Sequence, residues 1–213
     1  MPTASGRPVR AKLIAALMSS DERRINEALS LLEPTFGSVE LRSGVFAFTY
    51  SDYYRAEMGE GLIKMFCSFA KLIEPGEIVD VKLRAIECEK NLLQASHNTR
   101  ESTDRAPRSS QENAGQSPTD PQYTARQRPL GRIVNIDPGY VNAAKLVLAT
   151  TKDCSHRIYI GSGIYGDVEL IYKCGSFGCL DWTYLDYRTS QAIDFFNEVR
   201  SAYLAQLKVE SRD

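Results

Sequence analysis

The chain has 213 residues, of which 43% are hydrophobic and 25% are charged, and its formal net charge is −1. This ordinary globular composition argues against a strongly basic nucleic-acid-binding protein, and no apolar run approaches the roughly 20 residues of a membrane-spanning helix. Five irregularly spaced cysteines favour a reducing compartment over a disulfide framework. We therefore expect a cytoplasmic protein with no membrane or DNA partner.

The first part of the chain predicts a buried strand followed by a helix. The run from Leu13 to Met18 is continuously apolar, which is typical of a central strand buried on both faces. Ser19 and Glu22 have the spacing of a capping box, so we expect a helix to begin there. Pro34 and Gly37 predict its end.

Three further elements are predicted before the composition changes. Phe46, Phe48 and Tyr50 alternate with other residues, which indicates a half-buried strand. The segment from Gly61 to Ile73 is predicted to be a short helix. A longer helix follows it, because proline is tolerated in a first turn and apolar residues then recur at helical spacing as far as Leu92.

Residues 97–130 differ in composition from the rest of the chain. Ser, Thr, Gln, Asn and Pro dominate this segment, and few apolar side chains interrupt them. Such a segment cannot bury enough surface to offset the entropy of ordering it, so we predict disorder. Because neither flank has a complete set of strands and helices, we predict one domain over residues 10–208 with this insertion inside it.

The second half predicts mostly strands. A strand over Arg132 to Ile136 is expected to turn at Asp137-Pro138-Gly139. Asn142 is a suitable N-cap for a helix that runs to Thr151, and a strand is the alternative. A final helix begins near Thr189. A meander of three strands lies between them, at residues 157–161, 164–173 and 179–185.

This order of elements predicts an α+β fold. The sheet is expected to be mixed and to be covered mainly on one face by helices, with the disordered insertion in its middle.

Asp137 is the sharpest candidate for a catalytic residue. It lies at a predicted strand end and before a predicted helix start, where many α/β folds bind ligands. Its carboxylate is suited to hold a metal ion, a ribose hydroxyl or a proton in transit. The alternative is that the aspartate only caps its own turn. His156 and Asp52 are the other two catalytic candidates.

Lys145, Lys152, His156 and Arg157 form a basic run. If the helix through this segment forms, Lys145 and Lys152 share one face and offer phosphate a binding surface. The alternative is a solvated helix end, where cations suit the helix dipole.

Two aromatic segments are candidates for holding a planar ring. Tyr53 and Tyr54 follow a predicted strand and are suited to stack on a base, although they are equally suited to complete the core. Trp182 and Tyr184 lie in the other segment, where a cross-strand aromatic ladder is the alternative.

Asp186 and Arg188 lie next to this second segment and are also candidates for ligand binding. The alternative is that they form only a local ion pair. The predicted ligand-binding residues are Tyr53, Tyr54, Glu57, Tyr140, Lys145, Lys152, Arg157, Trp182, Tyr184, Asp186 and Arg188.

Motifs for metals and common cofactors are missing or out of context. Cys174 and Cys179 form at most half of a zinc site, so we predict no metal site from them. The chain lacks a P-loop, and its one G-x-G-x-x-G, Gly161 to Gly166, lies between predicted strands, which excludes the dinucleotide interpretation. No cofactor follows from the sequence.

Several motifs in one order resemble a known family. They are SSDE, DYYRAEMG, NIDPGY, KLVLATTKD followed by SHRIY, GIY, WTY-x-DYR and FFNEVR. Together they resemble the prokaryotic domain-of-unknown-function family 4416 over nearly the whole chain except residues 97–130. The resemblance implies a small cytoplasmic single-domain protein of bacteria and archaea, and it assigns no catalytic residue. Leu185 stands where the family tends to have proline.

Two functional hypotheses follow, and the sequence does not decide whether the protein is an enzyme. In the first, the domain binds or acts on a phosphate-bearing small molecule or nucleotide, with the basic residues on phosphate and the aromatic residues on a ring. In the alternative, it is a non-catalytic module that binds RNA or a protein. The first predicts that these groups converge in one concave pocket, and the second predicts a flat or convex spread.

Overall fold

The computed structural model describes residues 8–104 and 131–210. Within these ranges the chain forms one antiparallel sheet of nine strands. The strands are β1 (Ala11–Ser19), β2 (Val39–Arg42), β3 (Phe46–Ala47), β4 (Ile63–Ile73), β5 (Asn135–Val141), β6 (Lys145–Thr150), β7 (Ile158–Gly161), β8 (Ile164–Lys173) and β9 (Ser176–Cys179). The helices are α1 (Glu22–Phe36), α2 (Arg55–Met58), α3 (Ile78–Asp104) and α4 (Ser190–Glu210).

The strand order is β2-β4-β1-β5-β6-β8-β7, with β3 also on β4 and β9 also on β8. The predicted α+β class is confirmed. The sheet was expected to be mixed, but every pairing between described strands is antiparallel. Tight hairpins account for three of these pairings, those of β5 with β6, β7 with β8 and β8 with β9.

The central strand β1 is buried along its whole length, as its continuous apolar sequence predicts. Leu13, Ala15 and Leu17 point to one face, where they pack with α1 and α3. Ile14 and Ala16 point to the other face, where they pack with α4. Two of the three long helices therefore cover one face of the sheet, and the third covers the opposite face.

The segment predicted as a short helix from Gly61 to Ile73 is the strand β4. The prediction was wrong because β4 lies inside the sheet and is buried on both faces, so it lacks the alternation that identifies a half-exposed strand. Two polar residues of β4, Lys64 and Ser68, are buried.

The helix predicted from Asn142 to Thr151 is also a strand, β6, as the alternative stated. Asn142 closes the β5–β6 turn: its side-chain oxygen accepts hydrogen bonds from the N–H groups of Ala144 and Lys145, each at 2.9 Å. An asparagine that can cap a helix can equally organise a turn, and the sequence does not separate the two.

Strand boundaries also differ from the predictions. The strand expected over Phe46 to Tyr50 is reduced to Phe46–Ala47. The third strand of the meander was predicted at residues 179–185, but the observed strand is β9 at Ser176–Cys179. Residues 180–185 are therefore not a strand. The β8–β9 turn is Cys174-Gly175, whose φ angles of 52° and 90° match a type I′ hairpin.

The first helix begins and ends close to the predicted residues. Its N-cap is Asp21, which accepts a hydrogen bond from the Arg23 N–H, whereas the predicted cap, Ser19, donates to the Ile133 carbonyl. Pro34 lies within the last turn, and Gly37 caps the helix with a φ of 91°.

Residues 97–104, the first part of the segment predicted to be disordered, belong to α3, which continues to Asp104. The remainder of that prediction, residues 105–130, lies outside the described residues. No helix in the part of the chain that the structure describes is both long enough and apolar enough to cross a membrane.

Asp137-Pro138-Gly139 is not a turn but the middle of β5, where it pairs with β1. The N–H of Ile136 points away from β1, because it donates to Glu89 of α3 at 2.6 Å. Alternate residues of a strand direct these groups to the same side, so the ring nitrogen of Pro138 also points away from β1. The proline therefore removes no hydrogen bond between β5 and β1.

Pro138 does limit the pairing between β5 and β6. The two strands pair from Val141 with Leu146 to Gly139 with Leu148, and the next pair would bring Pro138 opposite Ala149. Proline has no N–H to donate, and the strands separate at this point. The sheet is therefore open between the residues of β5 that precede Gly139 and the residues of β6 that follow Leu148.

We predict that Gly139→Ala destabilises the protein, because β6 lies directly against this glycine. A Cβ at Gly139 would be 2.4 Å from the Val147 carbonyl oxygen and 2.8 Å from Leu148 Cδ2. Overpacking of this kind costs about 1–3 kcal/mol, measurable by urea unfolding. Gly166→Ala is the control, because the nearest atom to its Cβ would be 3.6 Å away. Equal stability of the two variants would contradict the close approach at Gly139.

Candidate functional site

A cavity of about 490 Å³ lies at the split between β5 and β6. One wall combines residues of β5 and β6, and two further walls come from the loop before α2 and from residues 182–188. The cavity is lined by Met18, Phe48, Tyr50, Ser51, Tyr53, Tyr54, Lys64, Lys82, Arg132, Asn135, Asp137, Leu148, Ala149, Thr150, Thr151, Lys152, Asp167, Trp182, Thr183, Tyr184, Leu185, Asp186, Tyr187 and Arg188.

The cavity brings together many of the residues that the sequence singled out, from three distant parts of the chain. The predicted residues that line it are Tyr53, Tyr54, Asp137, Lys152, Trp182, Tyr184, Asp186 and Arg188. Glu57, Arg157 and His156 do not line it but contact residues that do, as described below.

Three predicted residues lie outside this cavity. Asp52 is exposed, forms an ion pair with Arg55 at 3.0 Å and lines a separate cavity of about 260 Å³. Tyr140 packs against the core beneath α1 and α3. Lys145 begins β6 and Lys152 follows its end. The two lysines therefore do not share a helix face, which contradicts the prediction.

Lys64 and Asp186 form a buried ion pair in the cavity wall. The ammonium of Lys64 is 2.5 Å from Asp186 Oδ2, and the two side chains are 8% and 4% exposed. Lys64 also lies 5.0 Å from the centre of the Tyr187 ring. The alternative of a local ion pair between Asp186 and Arg188 is not what the structure has, because Arg188 donates to the backbone carbonyls of residues 180, 181 and 183.

Asp137 is held by side chains of α3 and β5. It accepts hydrogen bonds from Lys82 at 3.1 Å and from the side-chain amide of Asn135 at 2.6 Å. Burial by itself raises the pKa of Asp137, but Lys82 and Lys64, together with these hydrogen bonds, outweigh burial and lower the pKa below its ordinary value. Asp137 is therefore a carboxylate in a cationic setting.

Arg132 connects the loop around α2 to β5. Its guanidinium donates to Glu57 at 2.8 Å and to the side-chain oxygen of Asn135 at 2.6 Å. The hydrogen bond from Arg132 is the main reason that the pKa of Glu57 is lowered. The chain is packed tightly here, since a Cβ at Gly131 would lie 2.3 Å from Glu57 Cγ.

Lys152 is an exposed cation that lines the mouth of the cavity. Its ammonium lies 3.9 Å from the centre of the Tyr53 ring, which meets Tyr54 edge to face at 5.0 Å between centroids. Among residues 8–104 and 131–210, no carboxylate lies within 4 Å of this ammonium. Its positive charge is available to a ligand.

Trp182 does not belong to a cross-strand ladder, because residues 180–185 are not a strand. Its ring stacks on His156 with centroids 5.2 Å apart, and its N–H donates to the Val168 carbonyl. Arg157, a predicted phosphate ligand, donates to Asp167 at 2.7 Å and to the Tyr184 hydroxyl at 2.6 Å. Arg157 therefore supports the cavity wall from behind.

Two acidic residues of β8, Asp167 and Glu169, are almost completely buried. The pairing register between β6 and β8 shifts between Leu146 and Val147, which leaves Glu169 without a partner residue, as in a β-bulge. Burial is the main cause that raises the pKa of Glu169 to about 8, and Asp167 and Asp186 contribute. One oxygen of each carboxyl has no hydrogen-bond partner among the described residues.

Sequence reasoning missed five residues of this region, and one of them left a visible signal. Lys64 is a lone charge in an apolar run, which is unusual at a buried position. Asp167 and Glu169 looked like the exposed face of an alternating strand. Lys82 and Arg132 carried no signal, because only tertiary packing places them beside β5.

Within the described parts of the chain, no three or more His, Cys, Asp and Glu side chains are grouped so that they could hold a metal ion.

A family model described as "Domain of unknown function (DUF4416)" matches residues 9–101 and 121–203. Comparisons with curated proteins and with solved structures gave no match.

We predict that Lys64→Met lowers stability more than the double substitution Lys64→Met/Asp186→Leu. The single variant leaves the Asp186 charge buried without a partner, which costs about 3–5 kcal/mol, whereas the double variant removes both charges. Urea unfolding of the two variants and the unmodified protein measures the difference. A double variant less stable than the single one would show that the pair is not an isolated buried unit.

We predict that Glu169 makes the protein less stable as the pH rises from 4.5 towards 8. Because the folded-state pKa is raised from 4.5 to about 8, the folded chain binds the extra proton in this window, and this stabilisation is lost as the pH rises through the folded pKa. The slope is at most about 1.4 kcal/mol per pH unit. Urea unfolding of Glu169→Gln should lack this contribution, whereas the exposed control Glu198→Gln should retain it. If the stability of the two variants changed in the same way with pH, the contribution assigned to Glu169 would be contradicted.

Proposed function

The chain belongs to the family described as "Domain of unknown function (DUF4416)", and from its cavity we propose that it binds a small molecule that combines a planar ring with a phosphate group. Nucleotides are one class of molecule with both features. The observation that carries this proposal is the unpaired ammonium of Lys152 above the Tyr53 ring at the mouth of the cavity.

The size and shape of the cavity favour a small molecule over a polymer. A volume of about 490 Å³ is within the range of roughly 300–1,000 Å³ that is typical of ligand pockets. The aromatic and basic residues converge on this concave space, which favours the first hypothesis over a flat surface for RNA or protein.

The charges of the cavity favour phosphate at the mouth and not at the floor. Lys64, Lys82 and Arg132 already pair with carboxylates, so the inner cations are largely neutralised. Lys152 has no carboxylate partner within the described parts of the chain, and a phosphate group there would form charge-assisted hydrogen bonds with it. The planar ring of the ligand would then lie deeper in the cavity, against the aromatic residues of the loop before α2 and of residues 182–188.

Two further proposals concern the whole chain. We propose that residues 10–208 form one domain, because strands from both sides of residues 105–130 pair in the same sheet. We also propose a cytoplasmic location, on the evidence of the cysteine usage.

We predict that nucleoside monophosphates raise the melting temperature and that the matching nucleosides and inorganic phosphate do so less. A ligand at 100 times its Kd stabilises the folded state by about 2.7 kcal/mol, which thermal-shift measurements detect. Sugar phosphates complete the panel. If no phosphate compound shifts the melting temperature, the proposal is overturned.

Lys152→Gln should weaken monophosphate binding about tenfold and leave nucleoside binding almost unchanged, because the charge-assisted contact alone is lost. Lys173→Gln is the matched control, since Lys173 is exposed and does not line the cavity. Equal loss of monophosphate affinity in both variants would indicate a general charge effect and would contradict the role of Lys152.

A further inference from the structure

Two polar atoms in the cavity wall are buried without a hydrogen-bond partner among the described residues. They are Asp167 Oδ1 and the hydroxyl of Tyr187. The two residues are only 1% and 0% exposed. Leaving a buried polar group unpaired costs about 1–3 kcal/mol, so native proteins seldom retain such groups without a use for them.

Asp167 is fixed through its other oxygen. Oδ2 accepts a hydrogen bond from Arg157 Nε at 2.7 Å, and His156 Nε2 lies 3.5 Å from it. Arg157 is in turn anchored to Tyr184, a residue of the cavity wall. These contacts fix the carboxylate group and leave Oδ1 as its unused acceptor.

Tyr187 is fixed by the packing of its ring. The ring stacks on Phe196 at an interplanar angle of 3°, with centroids 5.5 Å apart, and packs against Phe66. Burial, followed by nearby carboxylates, raises the pKa of Tyr187 well above its ordinary value, so the hydroxyl keeps its proton and can donate. Two residues of the cavity wall therefore hold one fixed acceptor and one fixed donor that have no partner among the described residues.

We propose that Asp167 Oδ1 accepts a hydrogen bond from an N–H or O–H group of the ligand and that Tyr187 donates to an acceptor of the same molecule. This assignment rests on the proposed function, and it narrows the ligand class. The ligand carries a hydrogen-bond donor and an acceptor on the part that enters the cavity, as a nucleobase edge or a ribose does. A plain aryl phosphate lacks this donor.

The first test varies the ligand and leaves the protein unchanged. The tightest-binding ribonucleoside monophosphate is compared by calorimetry with its base N-methylated analogue, its 2′-deoxy analogue and phenyl phosphate. Loss of one charge-assisted hydrogen bond should weaken binding by at least about tenfold in one of the first two analogues, which identifies base or ribose as the donor. Phenyl phosphate should bind at least as weakly as that analogue.

The second test uses Asp167→Asn. Arg157 still requires an acceptor, so the amide oxygen should remain towards it, and the amide nitrogen should replace Oδ1 in the cavity. An acceptor thereby becomes a donor. We expect the parent nucleotide to bind about tenfold more weakly to this variant, whereas the analogue without the donor should bind with nearly unchanged affinity. Tyr187→Phe should weaken the parent independently.

The outcomes separate the two proposals. If no nucleotide or other phosphate compound binds the unmodified protein, the proposed function fails, and this inference fails with it. If the parent, both analogues and phenyl phosphate bind equally, the proposed function stands and the recognition by Asp167 is overturned, as expected if only water contacts Oδ1. The ligand series decides this even if Asp167→Asn does not fold, which thermal unfolding would show.

Discussion

The missing N–H of Pro138 determines where the sheet opens. Every second pair between β5 and β6 exchanges hydrogen bonds and needs donors on the facing edges, and the ladder ends where proline supplies none. The next backbone groups on this edge that have no strand to pair with are those of Ile136. Its N–H donates to Glu89 of α3, and its carbonyl accepts from Lys82 of the same helix. A helix thus replaces the pairing that a neighbouring strand would provide, and the cavity forms beside it without leaving the Ile136 backbone unpaired.

This opening explains the charges around the cavity. Lysine and arginine side chains enter a largely apolar sheet only when a carboxylate accompanies each of them, because burial of a lone charge is costly. Lys64 has Asp186, Lys82 has Asp137 and Arg132 has Glu57. The result is a wall that is rich in charge but nearly neutral. Lys152 at the mouth has no carboxylate within 4 Å among the described residues, so its charge is not neutralised in this way.

The sequence predicted elements whose signal is local and missed those that depend on neighbours. The apolar run of β1 and the spacing of α4 are sufficient to identify both. Asp137-Pro138-Gly139 is a strong local turn signal, yet pairing with β1 holds it extended. The density of aromatic and charged residues pointed to the Tyr53 and Trp182 segments, and both line the cavity, but Lys82 comes from a helix face that looks ordinary in sequence.

The link between Arg132 and Glu57 has a consequence for how the family can diverge. Gly131 lies directly against Glu57, so this side of the cavity is positioned by contacts of Gly131 and Arg132. Both residues follow residues 102–120, where the family match is interrupted. A change of length within residues 102–120 would therefore leave Glu57, Gly131 and Arg132 in the chain, and their contacts would still hold this side of the cavity in place.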